Sequence, residues 1–197
     1  WTKTIALDFP VDKYATDDGI DLDNDGLMDT LYSTDGSGAL LLDNNGMAHV
    51  FAGRMRVLDA DLSDGTSSYF PGTNGLLYWN EGMGADTGGQ ITNSVWWSNN
   101  VVVIASAQDM DGDSALNYID FGIYYSSLSS MPSCGIDANG TIYVSFSSLM
   151  EIYDNGAQNF RHVNIIKSHD GGMTWTSPID ITPISLFLGM GECVFAS

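Results

Sequence analysis

The octapeptide Ser168-His169-Asp170-Gly171-Gly172-Met173-Thr174-Trp175 carries more architectural information than any other part of the chain. An alternating run leads into it. Val163, Ile165 and Lys167 fall on one side and Asn164 and Ile166 on the other, which is the two-residue period of a β-strand. The octapeptide itself has the chemistry of a tight hairpin. Asp170 can accept backbone N–H groups across a turn, Gly172 takes up a conformation that other residues resist, and Trp175 offers a broad apolar surface to pack on the sheet.

The same strand and turn signals recur along the rest of the chain. Thr141-Ile142-Tyr143-Val144-Ser145-Phe146 puts Ile142, Val144 and Phe146 on one face. Residues 47–52, 76–79, 101–107, 121–125 and 162–167 read as strands of the same kind. Turn clusters separate them: Asp43-Asn44-Asn45-Gly46, Asp137-Ala138-Asn139-Gly140, Asp154-Asn155-Gly156 and Asp170-Gly171-Gly172. No window of a dozen residues holds a helical period, so the predicted fold class is all-β. An internal repeat sharpens the picture: residues 42–51 align with residues 136–145, matching Asp, Asn, Gly and Val at an offset of 94. An Asp-rich segment precedes each copy. One module then reads as an acidic loop, an inner strand entered after a D-x-N-G turn, a long connection and outer strands.

Composition agrees. The chain has 197 residues, 44% of them hydrophobic, enough to bury a core despite a net charge of −19. Of its 25 acidic residues only Glu81, Glu151 and Glu192 are Glu; the rest are Asp, which favours turns and oxygen-ligand sites over helices. Six Lys and Arg against those carboxylates are too few to bind nucleic acid or an anionic membrane surface. No apolar run approaches the roughly 18 residues of a membrane-spanning helix, so no membrane insertion is expected. The opening on Trp1 in place of Met reads as a mature or partial chain.

The octapeptide fits S-x-D-x-G-x-T-W at every defined position, and in its strand context it resembles the Asp-box (BNR) repeat of sialidase-type β-propellers. The resemblance implies that Ser168, Asp170, Gly172, Thr174 and Trp175 form a structural hairpin between the third and fourth strands of a blade. Trp1-Thr2-Lys3-Thr4-Ile5-Ala6-Leu7-Asp8 echoes residues 175–182 and looks like the tail of a preceding box, Tyr78-Trp79-Asn80-Glu81-Gly82-Met83 occupies the place of a degenerate one, and residues 191–197 resemble the start of another inner strand. The implied architecture is one partial propeller domain over 1–197. It has a blade at about 31–97 and another at about 98–175, with 1–30 and 176–197 belonging to neighbouring blades. Two blades cannot close a ring, so the remaining blades of a full-length protein become partners. The rival is a complete small β-sandwich in which the box is a lone hairpin.

Two acidic loops stand out. Asp21-Leu22-Asp23-Asn24-Asp25-Gly26-Leu27-Met28-Asp29 offers Asp21, Asp23, Asp25 and Asp29 as alternate carboxylates, with the Leu27 carbonyl, around one hard cation. It resembles the calcium loops of thrombospondin type 3 repeats. The second, Asp109-Met110-Asp111-Gly112-Asp113, continues to Asn117 and Asp120, with oxygen ligands at the first, third, fifth, ninth and twelfth places as in an EF-hand or dockerin-type loop. Its glycine falls at the fourth place and Ser114 at the sixth, so its turn is expected to differ. The alternative is a pair of solvated acidic turns. Crowded like charges favour a bound cation, calcium over magnesium, in a structural role.

Catalysis finds little support. Sialidases use an arginine triad, a tyrosine–glutamate pair and an aspartate, and the only arginines here are Arg54, Arg56 and Arg161. Arg54 and Arg56 are read first as salt-bridging residues and second as ligand contacts, together with Trp96 and Trp97. Cys134 and Cys193 fall near equivalent points of the modules and are a candidate disulfide. The sequon Asn139-Gly140-Thr141 and the short Asp-Thr-Leu and Asp-Ser-Ala motifs at 29–31 and 113–115 point to a secreted or cell-surface location. The expected function is a non-catalytic module that recognises a glycan or a surface protein. A glycoside hydrolase with its catalytic residues outside this segment, and a component of a bacterial surface secretion or motility assembly, are the alternatives.

Overall fold

The structure, a computed structural model, describes residues 3–11, 17–92, 94–182 and 191–195. They are all-β: β1 Thr30–Leu42, β2 Ala48–Leu58, β3 Ser68–Phe70, β4 Leu76–Asn80, β5 Gly89–Ile91, β6 Val95–Ser98, β7 Val102–Ala105, β8 Ser129–Ile136, β9 Ile142–Asp154, β10 Asn159–Ser168 and β11 Ile179–Asp180, with one 3-10 turn at Glu81–Met83. No helix among these residues is long and apolar enough to cross a membrane.

The strands form two sheets. The second is an antiparallel meander in chain order, β8–β9–β10–β11. The first contains an equivalent antiparallel run, β1–β2–β4–β7, and is curled and extended by β3 beside β2 and by the β5–β6 hairpin, whose β6 lies parallel to β1. The sequence repeat is visible as geometry. Asp43 closes the β1–β2 turn by accepting N–H bonds from Asn45 and Met47, and Asp137 closes the β8–β9 turn in the same way with Asn139 and Thr141. These D-x-N-G turns therefore join the first strand of each run to the second, whereas the sequence pattern places them at the entry to an inner strand.

Two further boundaries move. β7 belongs to the first sheet, so the division between the sheets follows Ala105 and not residue 97, and the second sheet extends past Trp175 to Asp180. Residues 121–125 form no strand; Phe121 makes a single bridge to Asn159, and Ile123 and Tyr125 face solvent. Trp1, Thr2, Asn93 and residues 183–190 lie outside the described residues, so the Trp1 echo is described only from Lys3.

The two first strands lie side by side, each broken by an irregularity at its midpoint: β1 between Thr34 and Gly38, β8 between Ser130 and Ser133. There the sheets are stitched together by polar bonds. Asp35 accepts the Ser127 amide at 2.8 Å and the Ser130 hydroxyl, and the hydroxyls of Ser37 and Ser130 are 2.6 Å apart. Further along, one apolar cluster crosses the seam: Phe51, Leu76, Tyr78 and Ala105 of the first sheet meet Ile142, Val144, Phe146 and Ile166 of the second.

The 168–175 hairpin joins β10 to β11, the third and fourth strands of the second sheet. Asp170 is its centre, taking the Thr174 amide at 2.9 Å, the Thr174 hydroxyl at 2.6 Å and the Ser168 hydroxyl at 2.8 Å, while the Gly172 amide donates to the Ser168 hydroxyl. Gly172 has φ +91°, and a Cβ there would run into the Tyr78 hydroxyl. The Trp175 ring reaches across the seam to Phe51 and Tyr78, with centroids 5.8 and 5.2 Å away.

This hairpin gives a pH prediction. The Thr174 hydroxyl and amide, then the Ser168 hydroxyl, hold the Asp170 carboxyl down at about 2, against 3.8 for an ordinary aspartate. The folded chain thus binds this proton less tightly than the unfolded chain, so the contribution is complete above pH 3.8 and is lost as pH falls toward 2. Thermal melts between pH 2 and 5 should show a shallower acid limb in Asp170→Asn. An unaltered limb would contradict the assignment.

Candidate functional site

The first acidic loop runs from Asp21 to Asp29 and empties directly into β1. Its backbone is closed by the Asp29 amide on the Ile20 carbonyl, 2.7 Å, and by the Asp29 carboxylate on the Leu22 amide, 2.6 Å. Oxygens of Asp21, Asp23 and Asp29 lie within 4.8 Å of one another. Asp29 is 1% exposed, and its Oδ1 is buried without a hydrogen-bond partner. Burial raises the Asp29 pKa, the Leu22 amide opposes this, and the charges of Asp23, Asp21 and Asp25 add to the rise. A lone carboxylate oxygen buried beside like charges is costly unless a cation or a proton sits there. The group fits a hard divalent ion.

Asp25 stands apart from this trio. Asp25 accepts the Ser94 hydroxyl at 2.8 Å and the Leu27 amide, so its carboxylate is spent on the β6 approach and on the loop itself. The Leu27 side chain is exposed.

The second loop repeats three of the first loop's bonds. The first-place carboxylate accepts the sixth-place amide (Asp21 from Gly26, Asp109 from Ser114), and the third accepts from the fifth (Asp23 from Asp25, Asp111 from Asp113). The fifth accepts from the seventh, Asp25 from Leu27 and Asp113 from Ala115. Ser114 takes φ +75° where the first loop uses Gly26 at φ +88°, so the expected difference in the turn disappears.

The ligand set does change. Asp109, Asp111 and Asp113 are joined by Glu151 of β9, again within 4.8 Å. Glu151 is buried and accepts the Met110 and Asn117 amides, which seats the loop on the sheet. Asn117 donates its side-chain Nδ2 to Asp113 beside the cluster, while Asp120 accepts the Phe121 amide and is not among the grouped carboxylates. The sequence signal for Glu151 was its rarity, one of three Glu in the chain, placed within a strand.

A second feature lies across β1, where Arg54 of β2 meets Tyr32 of β1 and Trp97 of β6. The Arg54 guanidinium sits 3.8 Å from the Tyr32 ring centroid and 4.5 Å from that of Trp97, and the two rings meet edge-on. These three residues with Gln90, Thr92, Val95 and Asn99 line an open cleft of about 400 Å³. Among the described residues Arg54 has no carboxylate partner, and its Nε is buried and unpaired; burial lowers its pKa. The salt-bridging reading of Arg54 and Arg56 is thereby corrected: aromatic rings take the place of carboxylates, and Arg56 lies over Phe70 at 4.4 Å. Trp96 is also reassigned. It points into the core with Leu31, Met55 and Val57, because neighbours in a strand face opposite sides.

Cys134 and Cys193 are free thiols. Cys134 is on β8 opposite Val144, whereas Cys193, outside any strand, donates its amide to the Arg161 carbonyl on β10 and accepts the Ser147 hydroxyl of β9. Arg161 forms a grouping that the sequence did not signal. It is 1% exposed, bonds the Ser127 and Leu128 carbonyls through Nη1, and leaves Nε and Nη2 without partners beside Glu192 and Tyr124. Burial, then the Glu192 charge, raises the Tyr124 pKa.

Set against models of known protein families the chain matches none, and no curated protein matches it at a significant level.

Proposed function

We propose that this chain is a non-catalytic recognition module, part of a secreted or cell-surface propeller of the sialidase-like kind, stabilised by calcium and binding glycans through the cleft around Arg54. The cleft carries this reading. Aromatic rings present apolar faces to sugar C–H groups, amide and hydroxyl side chains at Gln90, Thr92 and Asn99 exchange hydrogen bonds with ring hydroxyls, and an arginine with no carboxylate partner among the described residues supplies a cation. Two antiparallel four-strand runs set side by side by their first strands, with the 168–175 hairpin between a third and a fourth strand, support the propeller reading. All-oxygen donor sets of three or four carboxylates favour calcium, because magnesium keeps more of its waters.

Binding to an immobilised oligosaccharide panel tests the reading. Trp97→Ala and Arg54→Ala are each expected to weaken the strongest signal at least tenfold, about 1.4 kcal/mol, while Arg56→Ala leaves it unchanged. Equal loss in all three, or a signal indifferent to Trp97, would contradict it. A second reading, a glycoside hydrolase, is favoured by the Arg161, Glu192 and Tyr124 grouping. It requires turnover of a fluorogenic glycoside that Tyr124→Phe abolishes.

A further inference from the structure

We propose that a hard divalent cation held by Asp21, Asp23 and Asp29 controls the Arg54 cleft by fixing the β5–β6 hairpin against β1. The inference rests on that cleft being the recognition site, and it turns the first loop from a passive clip into a regulator.

The cation position is marked by Asp29, which is buried, has its Oδ1 unpartnered and has a carboxylate oxygen within 4.8 Å of those of Asp21 and Asp23. The path from there is short. Asp29 is followed at once by Thr30, whose amide donates to the Ser94 carbonyl at 2.9 Å. Asp25, inside the loop, accepts the Ser94 hydroxyl at 2.8 Å. Ser94 therefore receives the loop from both ends, and it holds φ +54°, a left-handed conformation uncommon for a residue other than glycine. β6 begins at the next residue and pairs with β1 in parallel through only two positions, Thr30 with Val95 and Leu31 with Trp96. Trp97 comes next, and its ring is one wall of the Arg54 cleft. Gln90 sits opposite Trp97 on β5. Three of the residues that line the cleft, Gln90, Val95 and Trp97, thus sit on a hairpin that Trp96 anchors in the core and whose first residues are held by the loop through Ser94.

With the cation absent, the carboxylates of Asp21, Asp23, Asp25 and Asp29 repel and the Asp29 oxygen has nothing to bind. The loop spreads, Ser94 loses its hold on it, and the start of β6 loosens, so that Trp97 is less firmly placed against Arg54. With the cation bound, the wall is in place before any ligand arrives, so affinity rises because less ordering is left to do on binding.

The test is amide hydrogen exchange on the whole chain, with calcium chloride alone as the probe. Amides of residues 94–98 are expected to exchange at least tenfold more slowly in calcium than in EGTA, with no change at residues 162–168. Asp29→Asn should abolish the difference. Should that variant fail to fold, Ser94→Ala serves: it leaves the cation ligands intact, so residues 20–30 keep their calcium protection while residues 94–98 lose most of theirs. Calcium protection confined to residues 20–30 in the unaltered chain, or absent everywhere, overturns the proposal. Calcium-dependent protection of 94–98 together with no saccharide binding in either state leaves the coupling standing and removes the recognition reading instead.

Discussion

Tyr78→Ala is expected to cost the fold about 3–5 kcal/mol, the range for removing a fully buried aromatic ring. Tyr78 is on β4 and 0% exposed, and its ring lies against Phe51 at 5.2 Å, His49 at 5.9 Å and Trp175 at 5.2 Å. Two of those neighbours belong to its own sheet and the third comes from the 168–175 hairpin of the other, so the cavity would open at the seam, where neither sheet can close over it. The hydroxyl adds a separate loss. It is 2.7 Å from His49 Nδ1, accepts the Asn80 amide at 2.8 Å and donates to the Gly171 carbonyl at 3.4 Å. Tyr78→Phe keeps the ring and strands those partners, which should cost about 1–3 kcal/mol. Urea denaturation of the two variants checks both figures. A loss below about 1 kcal/mol in Tyr78→Ala would mean that the sheets are not joined through this ring.

Removal of divalent cations is expected to have an effect of similar size. A site held at a hundredfold excess over its dissociation constant contributes about 2.7 kcal/mol to stability, and two such sites contribute about twice that. EGTA should therefore lower the thermal midpoint by several degrees, with readdition of calcium restoring it. The stripped protein should also respond to pH in an identifiable direction. Because the Asp29 pKa is raised in the folded state, the fold binds that proton more tightly than the unfolded chain does. The Asp29 contribution to the stability of the stripped protein accordingly falls as pH rises from 3.8 through the raised value and is level above it. Calcium should abolish this trend, since the cation replaces the proton. A midpoint unmoved by EGTA would remove the structural role assigned to both loops.

What could be read from the sequence was local. The 168–175 hairpin and the two D-x-N-G turns are held by bonds between residues two to four apart, and a side chain that serves its own turn leaves its mark in the pattern. The same holds for the bonding within the acidic loops, including the surprise at Ser114, where the pattern of amide donors outweighed the missing glycine. Long-range pairings left no such mark. Glu151 reaches Asp109, Asp111 and Asp113 only because β9 passes beneath the loop. The partners of Trp175 lie about a hundred residues earlier, on β2 and β4. Alternation predicts that Trp96 and Trp97 face opposite ways, yet which one enters the core depends on the parallel pairing of β6 with β1, an arrangement created by the insertion between β4 and β7. Charge counting likewise assigned carboxylates to Arg54 and Arg56, whereas the strand register placed aromatic rings beside them.

The most direct measurement is calorimetric titration of calcium into chelator-stripped protein. Two calcium ions per chain are expected, with Asp29→Asn losing one and Glu151→Gln losing the other. No binding heat, or a stoichiometry that neither substitution changes, would contradict the assignment of both acidic loops as cation sites.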